Sequence, residues 1–167
     1  DSLIPGSRYH SFKDFIAFPN VGSDHLENKK IQPLPVKGLS YHAGLFDLIK
    51  HKDYLVSLPY QSFDYIIHFL REAAIDPKVT EIDITLYRLA ENSRVINALI
   101  NAARNGKKVH CLVELKARFD EQANIYWTSR LEEEGVMVNY GITRYKVHTK
   151  ICLVTRWEKE EKTYYAN

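Results

Sequence analysis

Short apolar runs alternate with longer stretches of helical, 3.6-residue periodicity from about residue 41 onward. That alternation leaves few architectures open, because strands separated by helices of ten or more residues pair most readily in parallel. The spacing predicts strands over 54–58, 81–87, 108–115, 136–140 and 147–155, with a further one starting in 163–166. Ser62 reads as the cap of a helix carrying Ile66, Ile67, Phe69, Leu70, Ala73 and Ala74 on its inner side, and Asp76-Pro77 ends it. Asn92-Ser93 caps a second helix with Val95, Ile96, Leu99, Ile100 and Ala103 in register, and Asn105-Gly106 stops it in a left-handed cap. Asp120 caps a third, built on Ala123, Trp127 and Leu131 and ended by Gly135. The β–α units recur about every 30 residues, the usual length of such a unit. The central strands read as apolar on both faces. The expected fold is therefore α/β, a largely parallel sheet with helices on both faces.

Residues 1–40 do not follow this pattern. They hold four of the six prolines, Pro5, Pro19, Pro33 and Pro35, and show one helical candidate around 12–18. Each proline removes a backbone donor, so 1–38 reads as a linker or the end of an upstream domain, and 39–167 as the regular domain. With 167 residues and no initial Met, the chain reads as a piece of something longer. Apolar residues make up 45% and charged residues 26%, which excludes disorder as the main state. No apolar run reaches the roughly 18 residues that a membrane span needs, and no signal peptide is legible. The net charge of +2 gives no field that argues for nucleic acid. Cys111 and Cys152 sit in apolar runs without a CxxC partner, which excludes a disulfide scaffold and points to a reducing compartment.

The sharpest chemical feature is Val147-His148-Thr149-Lys150. On a strand, residues two apart share a face, so His148 and Lys150 would border one site. An ammonium beside an imidazole disfavours a second positive charge, which keeps the imidazole nucleophilic near neutral pH. Such a pair suits attack on phosphorus, with Lys150 holding a phosphoryl oxygen. An exposed strand edge with an ordinary His and Lys would give the same pattern. Arg88 follows the run 81–87 and Arg118 follows 108–115, the strand ends where open parallel sheets bind ligands. A guanidinium grips phosphate oxygens bidentately. Each arginine could equally pair with a nearby acid such as Glu91 or Asp120. Glu114 could orient Arg118 or Lys150, or form a plain buried ion pair. Tyr126 and Trp127 read as helix core. His10, His25, His42, His51, His68 and His110 show no HxxxH or HExxH spacing, so a protein-ligated zinc is not expected. Neither GxxxxGK[ST] nor GxGxxG occurs.

Four stretches carry a family resemblance: LPYQSFDYIIHFLREAAIDPKV, ITLYRLAENSRVINALINAARNGKKV, VELKARFDEQANIYWTSRLEEEGV and YKVHTKICLV. They resemble the bacterial polyphosphate kinases that form a phosphohistidine. IPGSRYHSFKDFIAFPNVG resembles the connecting part before that family's first catalytic domain. The resemblance implies the end of a head domain over 1–38, then most of a phospholipase D-like catalytic domain over 39–167, truncated at its C-terminus. It implies reversible transfer of the terminal phosphate of ATP to polyphosphate, with magnesium. It makes His148 the phosphorylated histidine, with Lys150 beside it, and places Arg88 and Arg118 at the magnesium-phosphate site. Arginine cannot ligate a metal, so the two would hold the phosphate that the magnesium also touches. The implied partners are ATP/ADP, inorganic polyphosphate, the remaining domains of the same chain and a second copy in a homo-oligomer. The implied location is the cytoplasm, or the periphery of the inner membrane.

Two other functions fit parts of the pattern. A phospholipase D-like phosphodiesterase would continue HxK with an Asp a few residues on, and 151–156 contain none. A non-catalytic polyanion-binding module would use Arg88, Arg118, Lys146 and Lys150 as a basic pocket. The fragment alone is expected to be inactive, because by resemblance a second essential histidine and part of the nucleotide pocket lie in other domains.

Overall fold

The structure is a computed structural model that describes residues 12–22, 26–40, 42–90, 92–114, 121–141 and 144–167. It divides into two units, Asp1–Gln32 and Pro33–Asn167. The first contains a 3-10 helix, Phe12–Ala17, in the stretch where the sequence shows its one early helical candidate.

The second unit contains helices α1 (Leu45–Ile49), α2 (Asp64–Ile75), α3 (Arg94–Arg104) and α4 (Glu121–Glu133). Its strands are β1 (Val79–Leu86), β2 (Lys108–Val113), β3 (Met137–Tyr140), β4 (Cys152–Glu158) and β5 (Glu161–Ala166). They form one sheet in the order β3-β2-β1-β4-β5. The α/β class is as expected, but the sheet is mixed rather than largely parallel. β1, β2 and β3 pair in parallel, whereas β4 runs antiparallel to both β1 and β5. The first three strands are joined through α3 and α4, which return the chain to the same edge. β4 and β5 form a hairpin turning at Lys159 and Glu160, both at positive φ, which needs no crossover.

Local chemistry accounts for the element ends. The Ser93 hydroxyl accepts from the Ile96 amide and caps α3. Gly106, at φ +78°, lets the chain leave α3 in the left-handed region. Ser62 accepts from the Asp64 amide at the start of α2, one residue before the N-cap Phe63.

Ile82 and Leu86 on β1, Val109, Cys111 and Val113 on β2, and Val154 on β4 are buried in one core with Leu70, Ala73, Leu99 and Ala102 of the helices. Ile96, Leu99, Ala102, Cys111, Val113, Leu131 and Val154 are fully buried. Each large aliphatic side chain so placed contributes about 1.5–3 kcal/mol. Cys111 and Cys152 flank Ile84 on the two neighbouring strands, free and buried, and burial pushes both thiols up to about 12.

The structure departs from the sequence reading in three places. Among the described residues the helices form a single layer, α1 on α2, α2 on α3 and α3 on α4, rather than covering both faces. Both β–α–β crossovers run the same way along the sheet, and their fixed right hand puts α3 and α4 on one side. The opposite face carries Glu81, Asp83, Lys108 and His110, so β1 and β2 are not apolar on both faces. Residues 54–58 form no strand; Tyr54 and Val56 instead pack against the core from an irregular segment. The strand expected over 147–155 begins only at Cys152.

The far end of the sheet is tied by charge. Arg156 donates to Asp76 at 2.8 Å and pairs with Glu158, which also accepts from Lys50 and from the Tyr165 hydroxyl. Lys50 first, then Tyr165 and Arg156, hold the Glu158 carboxyl down from the ordinary 4.5 to about 2. The folded state thus favours the ionised form. The stabilisation is complete above about pH 4.5 and is lost as pH falls toward 2. We expect Glu158→Gln to cost about 1–2 kcal/mol at pH 7, with the difference from the parent closing between pH 4.5 and 2. Urea unfolding followed by tryptophan fluorescence at several pH values checks this; a constant difference down to pH 2 would sink it.

Candidate functional site

Parallel pairing sets the carboxyl ends of β1 and β2 side by side. The Glu114 amide donates to the Leu86 carbonyl at 3.0 Å, and the Gly141 amide, just past β3, donates to Val113 at 3.2 Å. Side chains emerging there share one edge, the position where open sheets bind ligands.

Asn124 of α4 fastens this edge. It is 0% exposed. Its carbonyl accepts from the Leu89 amide at 3.2 Å, and its NH2 donates to the carbonyls of Tyr87 at 3.0 Å and Glu114 at 2.9 Å. One turn on, the Trp127 indole donates to the Ala90 carbonyl at 2.9 Å. Helix α4 therefore holds the loop that carries Tyr87 and Arg88. The sequence reading puts Tyr126 and Trp127 in the core; Trp127 is there, Tyr126 is exposed, and Asn124 is left out of that reading. A lone Asn among helical apolar positions was the available signal.

The segment 147–151 is pinned beside that loop. Glu114, 5% exposed, accepts from the Val147 amide at 3.0 Å. This carboxylate is thus tied to the backbone next to His148, a partner the sequence did not suggest. The Thr85 hydroxyl donates to the Thr149 carbonyl at 2.5 Å and accepts from the Ile151 amide at 3.0 Å, while the Thr85 amide donates to Ile151 at 2.9 Å. His148 and Lys150 are brought together as expected, from an irregular segment rather than a strand. The Lys150 ammonium donates to the His148 carbonyl at 2.5 Å and lies 4.3 Å from the Tyr87 ring centroid. The His148 ring meets the same ring edge to face, at 5.3 Å and 73°. The Arg88 guanidinium lies 5.6 Å from that centroid.

His148, Lys150 and Arg88 are exposed, and Lys146 is exposed as well. A cavity of about 510 Å³ opens beside them, with Ile84, Leu86 and Ile151 in its lining and Arg88, Arg94 and Lys150 as its cations. Arg94 is paired with Asp64. Arg118, and Asp120 as a cap, fall in 115–120, outside the described residues. Glu91, the alternative partner for Arg88, lies outside them too, as do His10 and His25.

Magnesium takes oxygen ligands in near-octahedral geometry. Arg88 and Lys150 offer it none. Among the described residues, one group of potential metal ligands converges, Glu81, Asp83 and His110 within 4.8 Å. It lies on the sheet face opposite the helices, where His110 Nδ1 is 2.9 Å from Asp83 and 3.5 Å from Glu81. The described side chains around His148 fit magnesium only as a companion of phosphate oxygens, and make no cage for the ion.

The chain as a whole has counterparts among known proteins. The family model for polyphosphate kinase C-terminal domain 1 matches residues 44–167. The polyphosphate kinase of Vibrio vulnificus (strain YJ016) is 52% identical over the whole of this chain, which covers 24% of that protein. That of Escherichia coli (strain K12) is 47% identical, with 25% of its length covered. The crystal structure of polyphosphate kinase from Porphyromonas gingivalis superposes with a TM-score of 0.73 at 41% identity, over 87% of this chain and 22% of that one. The chain thus spans about a quarter of the length of the curated relatives it matches. With its α/β sheet, its helices and its sequence all matching, the chain belongs to the polyphosphate kinase C-terminal domain 1 family.

Proposed function

We propose that this chain is the part of a polyphosphate kinase that carries the phosphorylated histidine. The observation behind the reading is the meeting of Arg88 and Lys150 with an exposed His148 on one aromatic ring. A nitrogen of the His148 imidazole attacks the terminal phosphorus of ATP, an N–P bond forms, and the P–O bond to ADP breaks. The terminal oxygen of polyphosphate then takes the phosphoryl group and the N–P bond breaks. The reverse sequence makes ATP. Lys150, Arg88 and Arg118 hold phosphate oxygens and offset the charge that builds up on them. Magnesium would arrive with the nucleotide phosphates, which it neutralises. Residues 39–167 would be the first catalytic domain and 1–38 the end of the domain before it. Other domains of the full-length protein would complete the nucleotide pocket, and the full-length protein would act as a homo-oligomer in the cytoplasm or at the periphery of the inner membrane. Among the described residues no helix is long and apolar enough to cross a membrane.

In the full-length protein, we expect His148→Ala to abolish both phosphohistidine formation from ATP and polyphosphate synthesis, since no second nucleophile leads to the covalent intermediate. Labelling with γ-phosphate-labelled ATP reads this directly as acid-labile, base-stable label. Near-normal synthesis by the variant would refute the assignment, and diester hydrolysis without ATP would favour a phosphodiesterase. Polyphosphate binding without any covalent label would favour a simple polyanion-binding module.

Arg88→Ala and Arg118→Ala should each lower the rate on the order of 100-fold while the fold persists. Circular dichroism beside the kinase assay separates the two effects; a variant that keeps full rate loses the role given to its arginine. The isolated chain should show no ATP-dependent synthesis, because phosphoryl transfer depends on positioning that other domains supply. Turnover within about tenfold of the full-length protein, a barrier difference of only about 1.4 kcal/mol, would show that this segment is self-sufficient.

A further inference from the structure

We propose that Tyr87 is a positioning residue of the phosphoryl-transfer site, its ring holding the His148 imidazole and the Lys150 ammonium together at the carboxyl end of β1. The inference rests on the reading of His148 as the phosphorylated residue. An aromatic ring has a negative face and a positive edge, so a cation above it and another ring at its edge are both attracted. Lys150 Nζ at 4.3 Å and Arg88 Cζ at 5.6 Å both fall inside the roughly 6 Å reach of a cation–π contact. His148 takes the edge-to-face geometry at 5.3 Å. One ring is therefore the common neighbour of all three candidate site residues among the described ones.

The ring can do this because its own backbone is fixed by the core. The Tyr87 carbonyl accepts from buried Asn124, and the preceding Leu86 carbonyl accepts from the Glu114 amide. Residues 147–151, in contrast, belong to no strand or helix. A lysine there has four rotatable bonds and a histidine two, and nothing in a regular ladder restrains them. A tyrosine has two and brings a rigid face. Thr85 and Glu114 hold the backbone of this segment, and Tyr87 adds the side-chain contact that sets imidazole and ammonium before substrate arrives.

The test uses the full-length protein with Tyr87→Phe and Tyr87→Leu. Phe keeps the ring, and should label His148 from ATP within about twofold of the parent rate. Leu keeps apolar bulk without a π face, and should slow labelling on the order of tenfold with KM for ATP within about twofold of the parent and the melting temperature unchanged. Parent-like rates in both variants overturn the proposal. Equal losses in both also overturn it, because the phenolic hydroxyl would then be the working group. A raised KM with unchanged kcat in Tyr87→Leu would make Tyr87 a substrate-binding group instead, and overturns it too. Should Tyr87→Leu not fold, pentafluorophenylalanine at position 87 keeps the ring's shape and removes its negative face; a parent-like rate there overturns the proposal. A parent protein that takes no label defeats the kinase reading and, with it, the role proposed for Tyr87. The contact itself is read separately from the His148 imidazole proton resonances, which ring current displaces in the parent and not in Tyr87→Leu; identical resonances overturn the contact.

Discussion

A side-chain amide removed completely from water must find partners for both its carbonyl and its NH2 group, or cost the fold their desolvation. Asn124 finds three, at Leu89, Tyr87 and Glu114, and those partners lie on the loops leaving β1 and β2. The edge of the sheet that bears the candidate site is therefore built around one buried polar residue on the neighbouring helix. Glu114 extends the arrangement: its carbonyl accepts from Asn124 and its carboxylate from the Val147 amide. From core to candidate nucleophile the path is short, running from α4 to the end of β2 and then to the residue before His148. A network of this kind acts as a unit, since losing one member leaves the others buried and unpaired.

The division of labour between the two ends of the sheet follows from chemistry. At the β4–β5 end, Arg156, Asp76, Glu158 and Lys50 neutralise one another, and Tyr165 covers the cluster from the core side. Those charges face their partners. At the carboxyl end of β1, Arg88 and Lys150 share a contact of another kind, the Tyr87 ring. That ring attracts cations without neutralising them.

The pair Cys111 and Cys152 has a bland role that matches its surroundings. Both thiols pack as small apolar groups on either side of Ile84, and burial raises them to about 12, far from the thiolate that metal binding or nucleophilic chemistry needs. The sheet face opposite the helices is less bland. Glu81, Asp83 and His110 meet there on neighbouring strands because residues two apart on β1 share a side and Asp83 lies opposite His110. That meeting arises from register alone, and no HxxxH or similar spacing announces it.

Much of this was legible in the residues. Periodicity located α2, α3 and α4 and, apart from the start of β4, the strands of the sheet within a few residues. Ser93, Gly106 and Gly135 marked the ends for the expected reasons of capping and positive φ. The motif VHTK drew attention to His148 and Lys150. What needed tertiary structure was anything fixed by a partner distant in sequence. The segment 54–58 has strand composition but finds no strand to pair with, and β4 starts late because Thr85 and Glu114 take the backbone groups of 147–151. Strand direction was decided likewise: a hairpin and a crossover can follow the same apolar pattern, and only pairing distinguishes them. By itself, then, the sequence determined the elements, their caps and the cationic chemistry around His148, since these depend on neighbours within a few residues. The tertiary structure decided that Tyr87, Asn124 and Glu114 bring that chemistry to one place, because their contacts join residues 10 to 63 positions apart in the chain, separations at which no local pattern operates.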